Sequence, residues 1–221
     1  CDFVWFRALL LMDPASHSKH DRLSLRQNAA LFFSDPRVIG FFLLILVPTY
    51  VASTFLTYYF PIFAESRGVG SADVGRLFIL NGIFVIYLGP VLSEFFGKRL
   101  GAGRTMIIGS ALWAAALAVA AIEGNMYGAV AALVLMGITE GFCVNAQNDF
   151  FLGMKSSRAI GEDQAVGYYE MVGKLAETAG PILFGLALVL GHFGGLSVIA
   201  ALVLVLAVLY IRAAGRKKAA G

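Results

Sequence analysis

FGGLSVIAALVLVLAVLYI, residues 193–211, runs without one Asp, Glu, Lys or Arg and stops at Arg212. A run of this length matches the ~20 residues that an α-helix needs to cross the hydrocarbon core of a bilayer. Working outward, the sequence predicts five more apolar blocks, at Val38–Phe60, Val74–Phe96, Met106–Ile122, Met126–Leu152 and Val166–Leu190. Together they consume most of the 221 residues, and the composition agrees, with 59% hydrophobic and 14% charged residues. Water-soluble domains are usually ~45–50% apolar and ~25% charged. Continuous apolar blocks also exclude a transmembrane barrel, which needs ~10-residue segments of alternating polarity. Lipid offers backbone groups no partner, so each block must be a helix, and the fold class is an all-α membrane protein with six transmembrane helices.

The remaining segments are polar. Residues 1–12 are apolar but short and interrupted by Arg7, as expected for the tail of a preceding helix in a longer protein. Residues 13–37 read as a loop outside the membrane, with one short surface helix around Leu23, Leu25, Ala29, Leu31 and Phe32. Residues 212–221 are a basic tail. Fourteen of the 17 Lys and Arg residues fall before the first span, after the second and fourth, or after the sixth, so that side is expected to be cytoplasmic, the C-terminus included. The localisation implied is a cell membrane, plasma or inner. The net charge of +3 reflects these basic loops and gives no reason to expect nucleic acid as a partner. Cys1 and Cys143 lie too far apart for a disulfide framework or a ligand cluster. With no phosphate-cradling loop and no nucleophile elbow, neither catalytic residues, a metal nor a cofactor is expected, and the chain does not read as an enzyme.

Charge inside the blocks is distributed unevenly. The first, third and sixth carry none, whereas the fourth and fifth together carry five. An ionisable group at the bilayer centre costs ~2.5–3.5 kcal/mol on insertion scales, so it normally faces a partner or a watery cavity. Glu170, Lys174 and Glu177, at i, i+4 and i+7, share one helix face with the lysine between two acids. They serve either as a solute or proton site or as an internally paired structural strip. Glu140 falls about halfway along the fourth block, inside Gly137–Gly141, a small-xxx-small spacing that admits another helix closely. It is the best single candidate for a protonatable group, the alternative being a buried structural hydrogen bond. Tyr50 and Thr54 head a hydroxyl stripe with Thr57, flanked by Thr49, Ser53 and Tyr58 and loosened by Pro48. Such hydroxyls can line a polar path or bond back to their own helix. Asn81 reads as helix glue, and His192 as a residue of a short external loop.

Two echoes carry the reading further. The second block contains Gly89-Pro90-Val91-Leu92 and the fifth Gly180-Pro181-Ile182-Leu183 at nearly the same depth, as expected for two inverted three-helix repeats. After the second block the chain reads Leu92-Ser93-Glu94-Phe95-Phe96-Gly97-Lys98-Arg99, then Gly101, Gly103 and Arg104. Leu92, the acid Glu94, Gly97 and the basic pair match in order a loop motif of the major facilitator superfamily, G-x-L-a-D-R-x-G-R-K. The leading glycine is displaced to Gly89, and Phe95 replaces a basic residue. The chain thus resembles the C-terminal six-helix half of such a transporter. The resemblance implies half of that fold, a conformational-switch loop at Glu94, Gly97, Lys98, Arg99 and Arg104, and an N-terminal six-helix half as partner. It also implies a small solute moved across the lipid bilayer by alternating access, with proton coupling through the acidic residues as one version. A permease subunit driven by a separate ATPase and a non-transporting solute sensor of the same fold are the alternatives.

Overall fold

The computed structural model describes residues 25–219; the expected helix tail at 1–12 and the first part of the loop lie outside them. Residues from Phe32 onward form one compact unit, and of the preceding unit, residues 1–31, the described part is the start of helix Leu25–Ser34. Every element among the described residues is helical. Six helices are long and apolar enough to cross a membrane: span 1 (Pro36–Ser66), span 2 (Ser71–Leu100), span 3 (Ala102–Glu123), span 4 (Met126–Leu152), span 5 (Glu162–Leu188) and span 6, apolar over Gly191–Ala213 and helical to Ala219. The chain has the build of an integral membrane protein.

The helices run longer than the apolar blocks, for local reasons. Asp35 caps span 1, its carboxylate accepting from the Arg37 N–H at 2.8 Å, and Pro36 occupies the first turn, where no N–H is needed. Span 5 starts four residues early because Glu162 and Asp163 suit the positive end of a helix. The expected loop between spans 2 and 3 is nearly all helix, reduced to Gly101. The longer one after span 4 holds a short helix, Lys155–Ile160. Each of the five junctions between consecutive spans contains one glycine of positive φ: Gly68, Gly101, Gly124, Gly161 and Gly191. Only glycine adopts that backbone without a steric penalty.

Proline leaves its own mark. Wide π turns at Phe42–Leu46, Phe55–Tyr59 and Phe84–Leu88 each end two residues before a proline, Pro48, Pro61 and Pro90. The ring lacks an N–H and collides with the carbonyl four residues back, and a widened preceding turn relieves the collision. Pro181, by contrast, sits in an unwidened stretch of span 5.

Packing rests on small residues. Span 3 lies along span 4 with Gly109 against Cys143. Spans 2 and 4, which run parallel, cross at Gly89 on Gly141, where a Cβ on Gly89 would stand 2.8 Å from the Gly141 Cα. One crossing step away, Asn81 covers Gly137 and donates to the Leu133 carbonyl at 2.9 Å, the helix-glue role expected of it. Spans 5 and 1, also parallel, cross at Gly180 on Thr54 and Gly173 on Tyr50. Near the start of span 1, Phe32, expected on a surface helix, is buried against Phe42, Phe151 and Tyr168. His192 is not in a loop but in the first turn of span 6. It is bonded to the Tyr59 hydroxyl through Nδ1 and to the Ala120 carbonyl through Nε2 at 2.9 Å, and it stacks on Phe63. The carbonyl requires Nε2 to carry the proton, so Tyr59 donates to Nδ1. This clamp ties spans 1, 3 and 6 at one end.

Backbone contact at the span 2–span 4 crossing leaves no room for a methyl group. Gly89→Ala is expected to lower stability by about 1–3 kcal/mol. Gly75→Ala, whose Cβ would meet nothing within 4 Å, is expected to be neutral or to stabilise by up to about 1 kcal/mol. Thermal unfolding of the two variants in detergent measures the contrast.

Candidate functional site

The polar residues of three spans converge at mid-depth. Gly173 has no side chain, so the Tyr50 ring of span 1 lies flat on span 5; a Cβ there would stand 2.7 Å from Tyr50 Cζ and 3.1 Å from its hydroxyl. Glu170 and Glu177, three residues before and four after Gly173, lie on the same face of span 5 as this contact. Lys174 pairs with Glu177 at 2.7 Å and also feels Glu170. Among the described residues, Glu140 and Glu170 form no side-chain hydrogen bond or ion pair, and Lys174 is not paired with Glu140.

This cluster is open to one side. Within the chain only 11% of the apolar window of span 2 and 22% of that of span 5 is buried, against 61% for span 1. Glu170 and Lys174 are exposed and Glu140 and Glu177 half-buried, alongside the exposed apolar Met171 and Leu175. Glu140 sits between Gly137 and Gly141, the two positions on which span 2 rests, so its depth and direction are set by that crossing.

Behind Tyr50 lies a second, fully buried polar layer that the sequence did not single out as a unit. Gln147 donates through Nε2 to the Thr49 hydroxyl at 3.0 Å and to the Cys143 sulfur at 3.5 Å, while its Oε1 is buried without a partner. The Tyr169 hydroxyl, also buried, lies near Tyr50 without a well-directed hydrogen bond to it. Gln147 Oε1 thus remains an unused acceptor in an interior where buried polar groups normally find protein or water. The spacing in the sequence already puts Gln147 on Glu140's face, at i+7. Tyr169 had no signal of its own.

The hydroxyl stripe divides. Thr49, Ser53 and Thr54 donate back to the carbonyls of Ile45 at 2.8 Å and Tyr50 at 2.7 and 3.3 Å, so these three serve their own helix first. Thr57 is exposed and Tyr58 half-buried. At the other candidate region, Glu94 pairs with Lys98 on the exposed surface of span 2. Arg99 covers the Phe95 ring, with its Cζ 4.3 Å from the centroid. Gly97, Lys98 and Arg99 lie in the last turns of span 2, and Arg104 in the first turn of span 3. An exposed pair of this kind contributes ~0–1 kcal/mol at most, so its value lies in position more than in stability. Set beside known proteins, the chain matches no family model and no curated protein.

Because Gln147 Oε1 has no partner and the Thr49 hydroxyl keeps its bond to Ile45, Gln147→Met is expected to change stability by less than about 1 kcal/mol. Gln147→Glu places a carboxylate of the same shape in the same dry site, where a buried unpaired charge is expected to cost about 3 kcal/mol or more. Thermal unfolding at neutral pH separates the two.

Proposed function

We propose that this chain is the C-terminal six-helix half of a secondary transporter of the major facilitator type, moving a small solute by alternating access. The observation that carries the reading is the charged strip Glu170, Lys174 and Glu177, set around the point where Tyr50 packs on Gly173 of span 5, on a helix face that the described chain leaves largely uncovered, with Glu140 half-buried near the middle of span 4. Facing lipid, such groups would be costly; facing a water-filled cavity closed by a second half, they are the groups that bind and release. Proton coupling follows from the same arrangement. A carboxylate without an ion partner, such as Glu140, takes up a proton when its surroundings dry and loses it when water returns.

Two further features support the architecture. Span 2 crosses span 4 on Gly89, and span 5 crosses span 1 on Gly180; each is the glycine of a Gly-Pro pair, in the middle helix of one triplet, resting on the leading helix of the other. Two inverted three-helix repeats would produce this reciprocal pattern. The basic residues at one end, Arg37, Lys98, Arg99, Arg104, Lys155 and Arg158, support a cytoplasmic placement of that end and of the C-terminus in a cell membrane. The Glu94–Lys98 pair, one turn apart within span 2, sits there next to the junction with span 3.

The test is uptake of a mixed metabolite panel by the full-length protein in proteoliposomes, with and without a pH gradient. Accumulation driven by the gradient is expected. Glu140→Gln is expected to bring it close to the level of protein-free vesicles while leaving gradient-independent exchange measurable. Ligand binding by a folded protein with no flux under any gradient would overturn the transport reading in favour of a sensor; flux with unchanged pH dependence in Glu140→Gln would remove Glu140 from coupling.

A further inference from the structure

A cavity of about 610 Å³ lies at the basic end of the bundle, between the start of span 1, the end of span 4 and the end of span 6, away from the charged cluster around Tyr50. Its walls are graded along the helix axes. Arg37, in the first turn of span 1, and Lys155, just beyond span 4, provide two cations at the rim, both exposed and neither in an ion pair among the described residues. Gly40 and Leu44 follow on the same wall, the latter ~10 Å deeper than Arg37 at ~1.5 Å per residue. Phe150 and Tyr210 close the opposite side, ring edge to ring face at 6.3 Å. Asp149 also lines this cavity, and with Arg158 and Glu162 it lines a neighbouring one; the rim of the first thus holds two cations and one acid.

We infer that this cavity binds an anionic phospholipid, the phosphate held by Arg37 and Lys155 and an acyl chain laid along Gly40, Leu44 and Phe150. The order of chemistry is that of the lipid itself: positive charge at the level of the helix ends, then hydrocarbon wall one to two turns deeper. Basic pockets between membrane helices recognise anionic headgroups by this combination. A soluble anion would use the rim and leave the apolar wall wet, and a neutral lipid would use the wall and leave both cations unmatched. Gly40 has a particular part in this. Its Cβ position meets nothing within 4 Å, so a larger side chain placed there can enter the cavity without striking the protein. The inference is independent of whether the protein transports a solute.

The experiment uses the full-length protein in detergent, with bound lipid counted by native mass spectrometry and thermal unfolding followed as lipid is added. Phosphatidylglycerol is expected to bind and raise the unfolding temperature, whereas phosphatidylcholine and inorganic phosphate do not. Exchanging both cations, Arg37→Gln with Lys155→Gln, is expected to weaken phosphatidylglycerol binding roughly tenfold or more. Gly40→Leu fills the wall without touching a charge, is compatible with its helix, and is expected to abolish binding as well. Arg104→Gln, at the same end but outside the cavity, should retain it. Equal effects of the two lipids, a matching effect of inorganic phosphate, or binding that survives in both Gly40→Leu and the double variant would each overturn the assignment.

Discussion

The two parallel helix crossings, Gly89 on Gly141 and Gly180 on Thr54, are the contacts from which the rest of the arrangement follows. In lipid there is little hydrophobic drive to bring helices together, so close approach and van der Waals fit must do it, and that needs positions without side chains. Where span 2 rests on Gly137 and Gly141, it brackets Glu140 and fixes which way the carboxylate can look. Where span 5 rests on Tyr50 and Thr54, it carries Glu170 and Glu177 to the same tyrosine. A β-carbon at Gly173 or Gly180 would hold span 5 away from span 1 and move Glu170 and Glu177 off the tyrosine.

Much of this was legible beforehand because bilayer thickness imposes a coarse rule on sequence: six apolar blocks became six long helices. The ends were less legible. Hydropathy treats Asp35, Glu162 and Asp163 as loop residues, whereas a capping carboxylate and first-turn acids are helix signals of a different kind. Phe32 was placed on a surface helix because its neighbours are polar, but its ring is held by Phe42, Phe151 and Tyr168, partners scattered over more than a hundred positions.

The candidate site shows the same division. Glu140 and the Glu170, Lys174, Glu177 strip stood out because charge in an apolar block is rare, and their placement on separate helices was correct. That Tyr50 packs on span 5 between Glu170 and Glu177 could not be read, since it depends on two glycines of span 5 letting span 1 come close. Gln147 could be put on Glu140's face from spacing, but the burial of its Oε1 without a partner and the place of Tyr169 beside Tyr50 could not, because a glutamine and a tyrosine in membrane helices are unremarkable until their surroundings are known. His192 was assigned to a loop on the strength of its neighbouring glycines, yet one of those, Gly191, is the joint that lets the histidine enter a helix and reach Tyr59.

The left-handed glycine in each of the five junctions has a kinematic consequence. Rods joined through so few free torsions have little slack to reorient one by one, so the bundle behaves as a linkage whose members turn together. Compliance is then confined to the interiors of spans 1 and 2, where the turns ahead of Pro48, Pro61 and Pro90 have left the regular ladder, while spans 3 and 4 keep unbroken α-helical turns. Deformation under load would concentrate at those three points, two of which flank Tyr50 along span 1 and the third of which immediately precedes Gly89.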